Sequence, residues 1–238
     1  MITVDNLAIQ FGKRVLYKDV NIKFTSGNIY GVIGANGAGK STLLKAISGI
    51  MRPSEGTVTA KGNVVALLEL GTGFDDELTV KENTFLRGAL LGYTRKFMTE
   101  RYYDILKFAE LEEFEDRMFK QLSSGMKSRL AFAIASFVQP DILILDEVMA
   151  VGDGGFRKKS EDKTREIIAS GATTILVSHD QNQIRELCNK VLWLHKGYQV
   201  AFNDDVRGTV DDYESFLQGE QDIQSFAEKY GGKVGDQY

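Results

Sequence analysis

Apolar positions along the chain follow two periods. Over residues 2–9 they fall at Ile2, Val4, Leu7 and Ile9, which predicts a half-buried strand ended by Phe11-Gly12. Val15 to Phe24 predicts a second strand region, closed by a turn at Thr25-Ser26-Gly27-Asn28. Four runs are continuously apolar instead: Ile29–Ile33, Val64–Leu68, Ile142–Leu145 and Thr174–Val177. Such runs suit parallel strands covered on both faces. Between them, Pro53-Ser54-Glu55-Gly56 reads as a turn before a short strand, Thr57–Thr59. Val191–Leu194 and Tyr198–Ala201 read as a hairpin around Lys196-Gly197.

The helical period appears elsewhere. Leu43–Ser48 predicts a helix closed by Gly49. From Thr79 to about Ala109 one stripe holds Phe85, Leu86, Ala89 and Leu90, and another holds Tyr103, Ile105, Leu106 and Phe108. Gly125 to Val138 carries Leu130, Ala133, Ile134 and Phe137 on one face and stops before Pro140. Helices are also predicted over 156–169, 181–187 and 206–218, the last with Val210, Tyr213, Phe216 and Leu217 as its apolar face. The final twenty residues predict a helix to Tyr230 at most and a frayed end. This alternation predicts an α/β fold: a mostly parallel core sheet, an antiparallel β layer ahead of it, and an inserted helical lobe over about 72–138.

Gly34-Ala35-Asn36-Gly37-Ala38-Gly39-Lys40-Ser41-Thr42 fits G-x-x-x-x-G-K-[ST], the P-loop pattern, between a predicted strand and a predicted helix. The glycines let backbone N–H groups approach a polyphosphate, and the helix start adds unpaired donors and a positive dipole end. Lys40 would reach the β- and γ-phosphates, and the Ser41 hydroxyl would ligate Mg²⁺. Strand 142–145 ends in Asp146-Glu147, 106 positions after Lys40. A carboxylate there holds Mg²⁺ in P-loop proteins, which is the role expected of Asp146. Glu147, one residue further out, can orient or deprotonate an attacking water. Val177-Ser178 leads to His179, which is placed either to bond a γ-phosphate or to cap the following helix. Ser123-Ser124-Gly125 opens the helix of 125–138; the serines fit a plain N-cap and an anion site equally well. His195, at a turn, reads as a surface residue.

Composition narrows the class. The 238 residues are 43% hydrophobic and 26% charged, ordinary for a globular protein, with two prolines and no low-complexity linker. No apolar run approaches the ~18 residues of a membrane span. The start lacks the basic and apolar regions of a signal peptide, and Cys188 is the sole cysteine; both point to the cytosol. Net charge is −4, with eight acidic and three basic residues over 205–238. Neither that tail nor the remainder has the basic surplus of a nucleic-acid binder, so no nucleic-acid partner is expected.

The order of P-loop, Ser-Ser-Gly at a helix start, Asp-Glu after an apolar strand, and Ser-His resembles the ATPase subunits of ABC transporters. The resemblance spans residues 1 to about 204 and implies ATP and Mg²⁺ as ligands. It implies that Gly34, Asn36, Gly37, Ala38, Gly39, Lys40, Ser41 and Thr42 bind the nucleotide. It implies that Ser123, Ser124 and Gly125 match the signature that holds the γ-phosphate of ATP bound by a second subunit, so that two copies pair head to tail. Asp153 matches the D-loop, His179 the switch histidine, and Phe11, 23 residues before Gly34, the aromatic that stacks on adenine; a core aromatic is the alternative for Phe11. Two features depart from the family: the signature reads Ser-Ser-Gly-Met, and no Gln occurs between Gln10 and Gln121, so Leu70, beside Glu69, stands where the Q-loop glutamine would be counted.

Within the family, Ser-Ser-Gly-Met, Glu147-Val148-x-Ala150-Val151-Gly152-Asp153, Leu70-Gly71-x-Gly73-Phe74, Glu77-Leu78-Thr79 and Glu82-Asn83 look like the exporters of surface polysaccharides: O antigen, capsule and teichoic acid. That implies a peripheral subunit at the cytoplasmic face of the inner membrane, hydrolysing ATP for a separate transmembrane permease docked near residues 72–110. Residues 205–238 are too few for the carbohydrate-binding domain that some such proteins carry. The alternatives are another ABC exporter, for a drug, lipid or peptide, a non-transport ABC ATPase, and a non-hydrolysing clamp.

Overall fold

The computed structural model describes residues 1–11, 14–67, 70–137, 140–146, 151–152 and 154–234. The chain forms two compact units: residues 1–64, 141–147 and 171–238, and residues 65–140 and 148–170.

The first unit opens with β1 (Ile2–Phe11), β2 (Arg14–Phe24), β3 (Ile29–Ile33), α1 (Lys40–Ile47) and β4 (Glu55–Ala60). β5 (Val64–Ala66) stands where the chain passes into the second unit. β1 pairs antiparallel with both β2 and β4, giving the expected antiparallel layer in the order β2-β1-β4. Its alternation has a plain result: Ile2, Val4 and Leu7 are 0% exposed, while Asp5 and Asn6 face solvent. β4 starts two residues earlier than predicted and takes in Glu55-Gly56, where the β1 register shifts.

In the second unit, α2 (Val80–Leu90) and α3 (Arg95–Ala109) form the predicted helical block, followed by α4 (Ser124–Ser136). The chain then returns to the first unit through β6 (Ile142–Asp146), runs α5 (Gly154–Ala169) in the second, and completes the first with β7 (Thr173–Val177) and α6 (Gln181–Leu187). β8 (Lys190–His195), β9 (Tyr198–Asn203), α7 (Val206–Leu217) and α8 (Ile223–Tyr230) follow. The core sheet of the first unit runs β6-β7-β3-β8-β9, parallel except for the closing hairpin β8–β9. The continuous apolar runs are buried on both faces: Ile142, Leu143, Ile144, Leu145, Ile175, Leu176 and Val177 are all 0% exposed.

The acidic tail packs against this sheet. Trp193 of β8 is fully buried, with the rings of Tyr213, Phe216 and Phe226 5.3 to 5.8 Å away. His195 is half-buried, edge-on to Phe216 at 5.3 Å, and not the surface residue expected; burial, with Lys196 beside it, lowers its pKa. Leu217 is 52% exposed, so the apolar face of α7 stops a residue short of the prediction.

The helical unit corrects the predicted stripes. The buried face of α2 is Val80, Asn83, Thr84 and Gly88, while Leu90 is 61% exposed. Two contacts explain the rotation. Gly88 admits Met98 so closely that a Cβ would stand 2.4 Å from its sulfur. Asn83 spends its amide on the loop before the helix: Nδ2 donates to the carbonyls of Asp75, Leu78 and Thr79, and Oδ1 accepts from Asp75 N–H at 2.8 Å. A buried amide so fully paired carries little burial cost. On α3 the buried aromatic is Tyr102, bonded to Glu115 at 2.9 Å, whereas Tyr103 is 68% exposed.

Candidate nucleotide-binding site

β3, β7 and β6 end at one level. Val32 pairs with Val177, and Asp146 pairs with the same Val177. With neighbouring strands about 4.8 Å apart, Asp146 sits two strands from the P-loop strand, at the carboxyl ends where open α/β sheets take ligands.

Directly after β3 the chain turns through the P-loop. Gly34 is buried at φ +151°, and a Cβ there would stand 2.3 Å from the Leu194 carbonyl oxygen. Gly39 takes φ +103° as the N-cap of α1, and a Cβ there would meet the Tyr17 ring and hydroxyl. Glycine is required at both places by contact and by dihedral. Ala38 is buried and closes a turn through N–H to Ala35 O at 3.0 Å; Gly197 N–H, from the β8–β9 turn, donates to Ala38 O at 3.2 Å. Asn36 and Gly37 are exposed. Lys40 is only 8% exposed, and its Nζ donates to Gly34 O at 2.6 Å and Ala35 O at 3.2 Å. Ser41 is exposed and Thr42 half-buried.

This arrangement fits a polyphosphate. No side chain caps α1, and its first turn contains no acid. A helix start of this kind, with no side-chain cap from Gly39, directs its leading N–H groups and positive end toward an anion. The metal side fits as well. Asp146 Oδ1 is buried and has no hydrogen-bond partner among the described residues. An unpaired buried carboxylate oxygen is costly, and a hard cation satisfies it. Among the described residues no cluster of three or more His, Cys, Asp or Glu could hold an ion alone. Magnesium usually combines one or two carboxylates with substrate phosphates and waters.

The remaining candidates divide. Asp180 caps α6 by accepting from Asn182 N–H at 3.0 Å, so His179 is not the cap; it stands exposed after β7. Ser123 does act as an N-cap, accepting from Met126 N–H at 3.2 Å at the start of α4 in the second unit; Ser124 is exposed and Gly125 half-buried. Glu147, Asp153 and Glu69 lie outside the described residues, as does the side chain of Phe11, the last residue of β1. Sequence reasoning missed Tyr17 and Gly197. Tyr17 is an ordinary strand residue by pattern, and the Lys196-Gly197 turn is far from the P-loop in sequence.

A glycine-rich turn between a buried parallel strand and an uncapped helix, with a carboxylate level with it on the same sheet edge, defines a P-loop nucleotide-binding domain. The match to the ABC transporter family covers residues 17–150, and the chain belongs to that family. It is 43% identical over 182 residues to the O-antigen export system ATP-binding protein RfbB of Klebsiella pneumoniae, covering 76% of this chain and 74% of that one. It is 41% identical over 205 residues to the ABC transporter protein AbcA of Aeromonas salmonicida, covering 86% of this chain. It is also 41% identical over 200 residues to the teichoic acids export ATP-binding protein TagH of Bacillus anthracis, covering 84% of this chain. The aligned part spans 66% of AbcA and 36% of TagH. The fold matches a solved ATP-binding subunit of an ABC transporter at TM-score 0.74 and 23% identity, over 96% of this chain and 98% of that one. It matches a dimeric bacterial ABC transporter cassette at TM-score 0.63 and 25% identity, over 83% and 95%.

Proposed function

We propose that this chain is the nucleotide-binding subunit of an ABC exporter, and that it hydrolyses ATP to drive a lipid-linked polysaccharide (O antigen, capsule or teichoic acid) across the cytoplasmic membrane. The observation that carries this reading is the 43% identity, over 182 residues, to a protein named for O-antigen export. The family and the uncapped P-loop helix support the ATP part independently.

MgATP, when bound, supplies the phosphoanhydride bond that water cleaves. Lys40 and the N–H groups at the start of α1 hold the phosphate chain and offset its charge as it builds. Ser41 and Asp146 hold the metal. Glu147 orients and deprotonates the water, His179 fixes the γ-phosphate, and Phe11 stacks on the base. Ser123, Ser124 and Gly125, with Asp153, serve the nucleotide of the opposite subunit in a head-to-tail pair, so a lone subunit hydrolyses poorly. The ATPase domain is residues 1–204, and 205–238 form the tail.

A separate permease receives the stroke at about residues 72–110. Leu90 and Tyr103 present apolar surface there, and Phe74 stacks on Phe119 at 4.5 Å. The subunit sits peripherally on the cytoplasmic face of the membrane; no helix of the described residues is long and apolar enough to cross it.

Removing the protein from the cells that make it is expected to strip polysaccharide from their surface and leave it lipid-linked inside. Wild type should restore export and Glu147→Gln should not. Unchanged surface polysaccharide would contradict the substrate class.

A further inference from the structure

A hydroxyl beneath the P-loop has no hydrogen-bond partner among the described residues. Tyr17, in β2, is 0% exposed, and its Oη makes no hydrogen bond among the described residues. Its position is specific. A Cβ built on Gly39 would stand 2.4 Å from this oxygen and 2.6 Å from the ring carbon that bears it, so the phenol presses on the residue that caps α1. Burial pushes the phenol well above its ordinary range, so it stays protonated and remains a donor. Its strand is held here too. Gly197 lies against the Leu16 carbonyl at a distance only glycine permits, and its N–H donates to Ala38 O.

Buried polar groups are nearly always paired, so an orphaned donor calls for the state in which it is paired. Four of the loop's own carbonyls are engaged: Gly34 O and Ala35 O by Lys40 Nζ, Ala38 O by Gly197 N–H, and Gly39 O by Leu43 N–H at 2.9 Å. A seated phosphate chain changes that inventory. It brings anionic oxygens to Lys40 and to the loop N–H groups, in competition with those carbonyls. We propose that Tyr17 is a nucleotide-positioning residue, whose hydroxyl gains an oxygen acceptor only when a polyphosphate sits on the loop. The cost carried by the orphaned donor is then relieved by the ligand, and a ligand gains affinity from any contact made in one state alone. This rests on the nucleotide-binding reading of the P-loop.

The test is Tyr17→Phe, which keeps the ring against Gly39 and removes only the oxygen. ATP and ADP are titrated calorimetrically into the full chain and the variant, and both are melted without nucleotide. The variant should melt no lower than wild type, yet bind ATP and ADP about three- to tenfold more weakly. Equal affinities overturn the proposal and leave the P-loop reading intact. A weaker affinity accompanied by a lower melting temperature without nucleotide also overturns it, since the hydroxyl would then be paired already. Wild-type protein that binds neither nucleotide overturns both readings.

Discussion

Helices α1 and α4 both begin where the sequence offers an anion site, and they begin differently. α4 is capped by its own Ser123, which takes the Met126 N–H. α1 is capped by Gly39, which has no side chain to offer, and carries Lys40 buried at its first position. One helix start takes a side-chain cap and the other does not. Glycine makes that possible at Gly39 through a positive φ, with Tyr17 filling the place where a Cβ would go. At Gly125 the nearest atom to a built Cβ is Ser123 Oγ at 3.9 Å, so nothing crowds it. An uncapped helix start enclosed by its own fold is thus the stronger mark of a ligand site than serines at a helix start.

Substitutions at the two helix starts sharpen this contrast. Gly39→Ala should cost most, about 2–4 kcal/mol, because a Cβ meets Tyr17 and φ is unfavourable. Denaturant unfolding checks it, and nucleotide binding should fall with it. Ser123→Ala should cost about 1 kcal/mol, the ordinary price of a lost N-cap, without altering ATP affinity of the single subunit. Gly125→Ala should be smallest, a stabilisation of a few tenths of a kcal/mol from lower helix entropy cost. If Gly125→Ala nonetheless abolishes ATP turnover by the paired subunits, α4 serves the partner's nucleotide; full turnover would make it an ordinary helix start.

Much of the first unit was legible because its signals are local. Ile142–Leu145 reads as a doubly covered strand from composition alone, and the P-loop residues dictate both their turn and the lysine after it. In the helical unit the apolar pattern misled. Leu90 and Tyr103 looked like core and are exposed, while Asn83, outside the predicted apolar stripe, is fully buried. Asn83 pays for burial with four hydrogen bonds to a loop that precedes it, and Gly88 with a close approach of Met98; neither partner is visible in a helical wheel. Asp146 was legible as a strand-end carboxylate, but its level with Val32 depends on strand order, which no local pattern encodes. Tyr17 was illegible for the same reason: its meaning comes from Gly39, twenty-two positions away.

The measurement that bears most directly on this account is calorimetric titration of ATP with Mg²⁺ into wild-type protein and Lys40→Ala. Wild type should bind, and the variant should lose about a hundredfold or more in affinity, as expected if the buried ammonium holds phosphate through charge-assisted bonds. Equal affinity in the two proteins would contradict it.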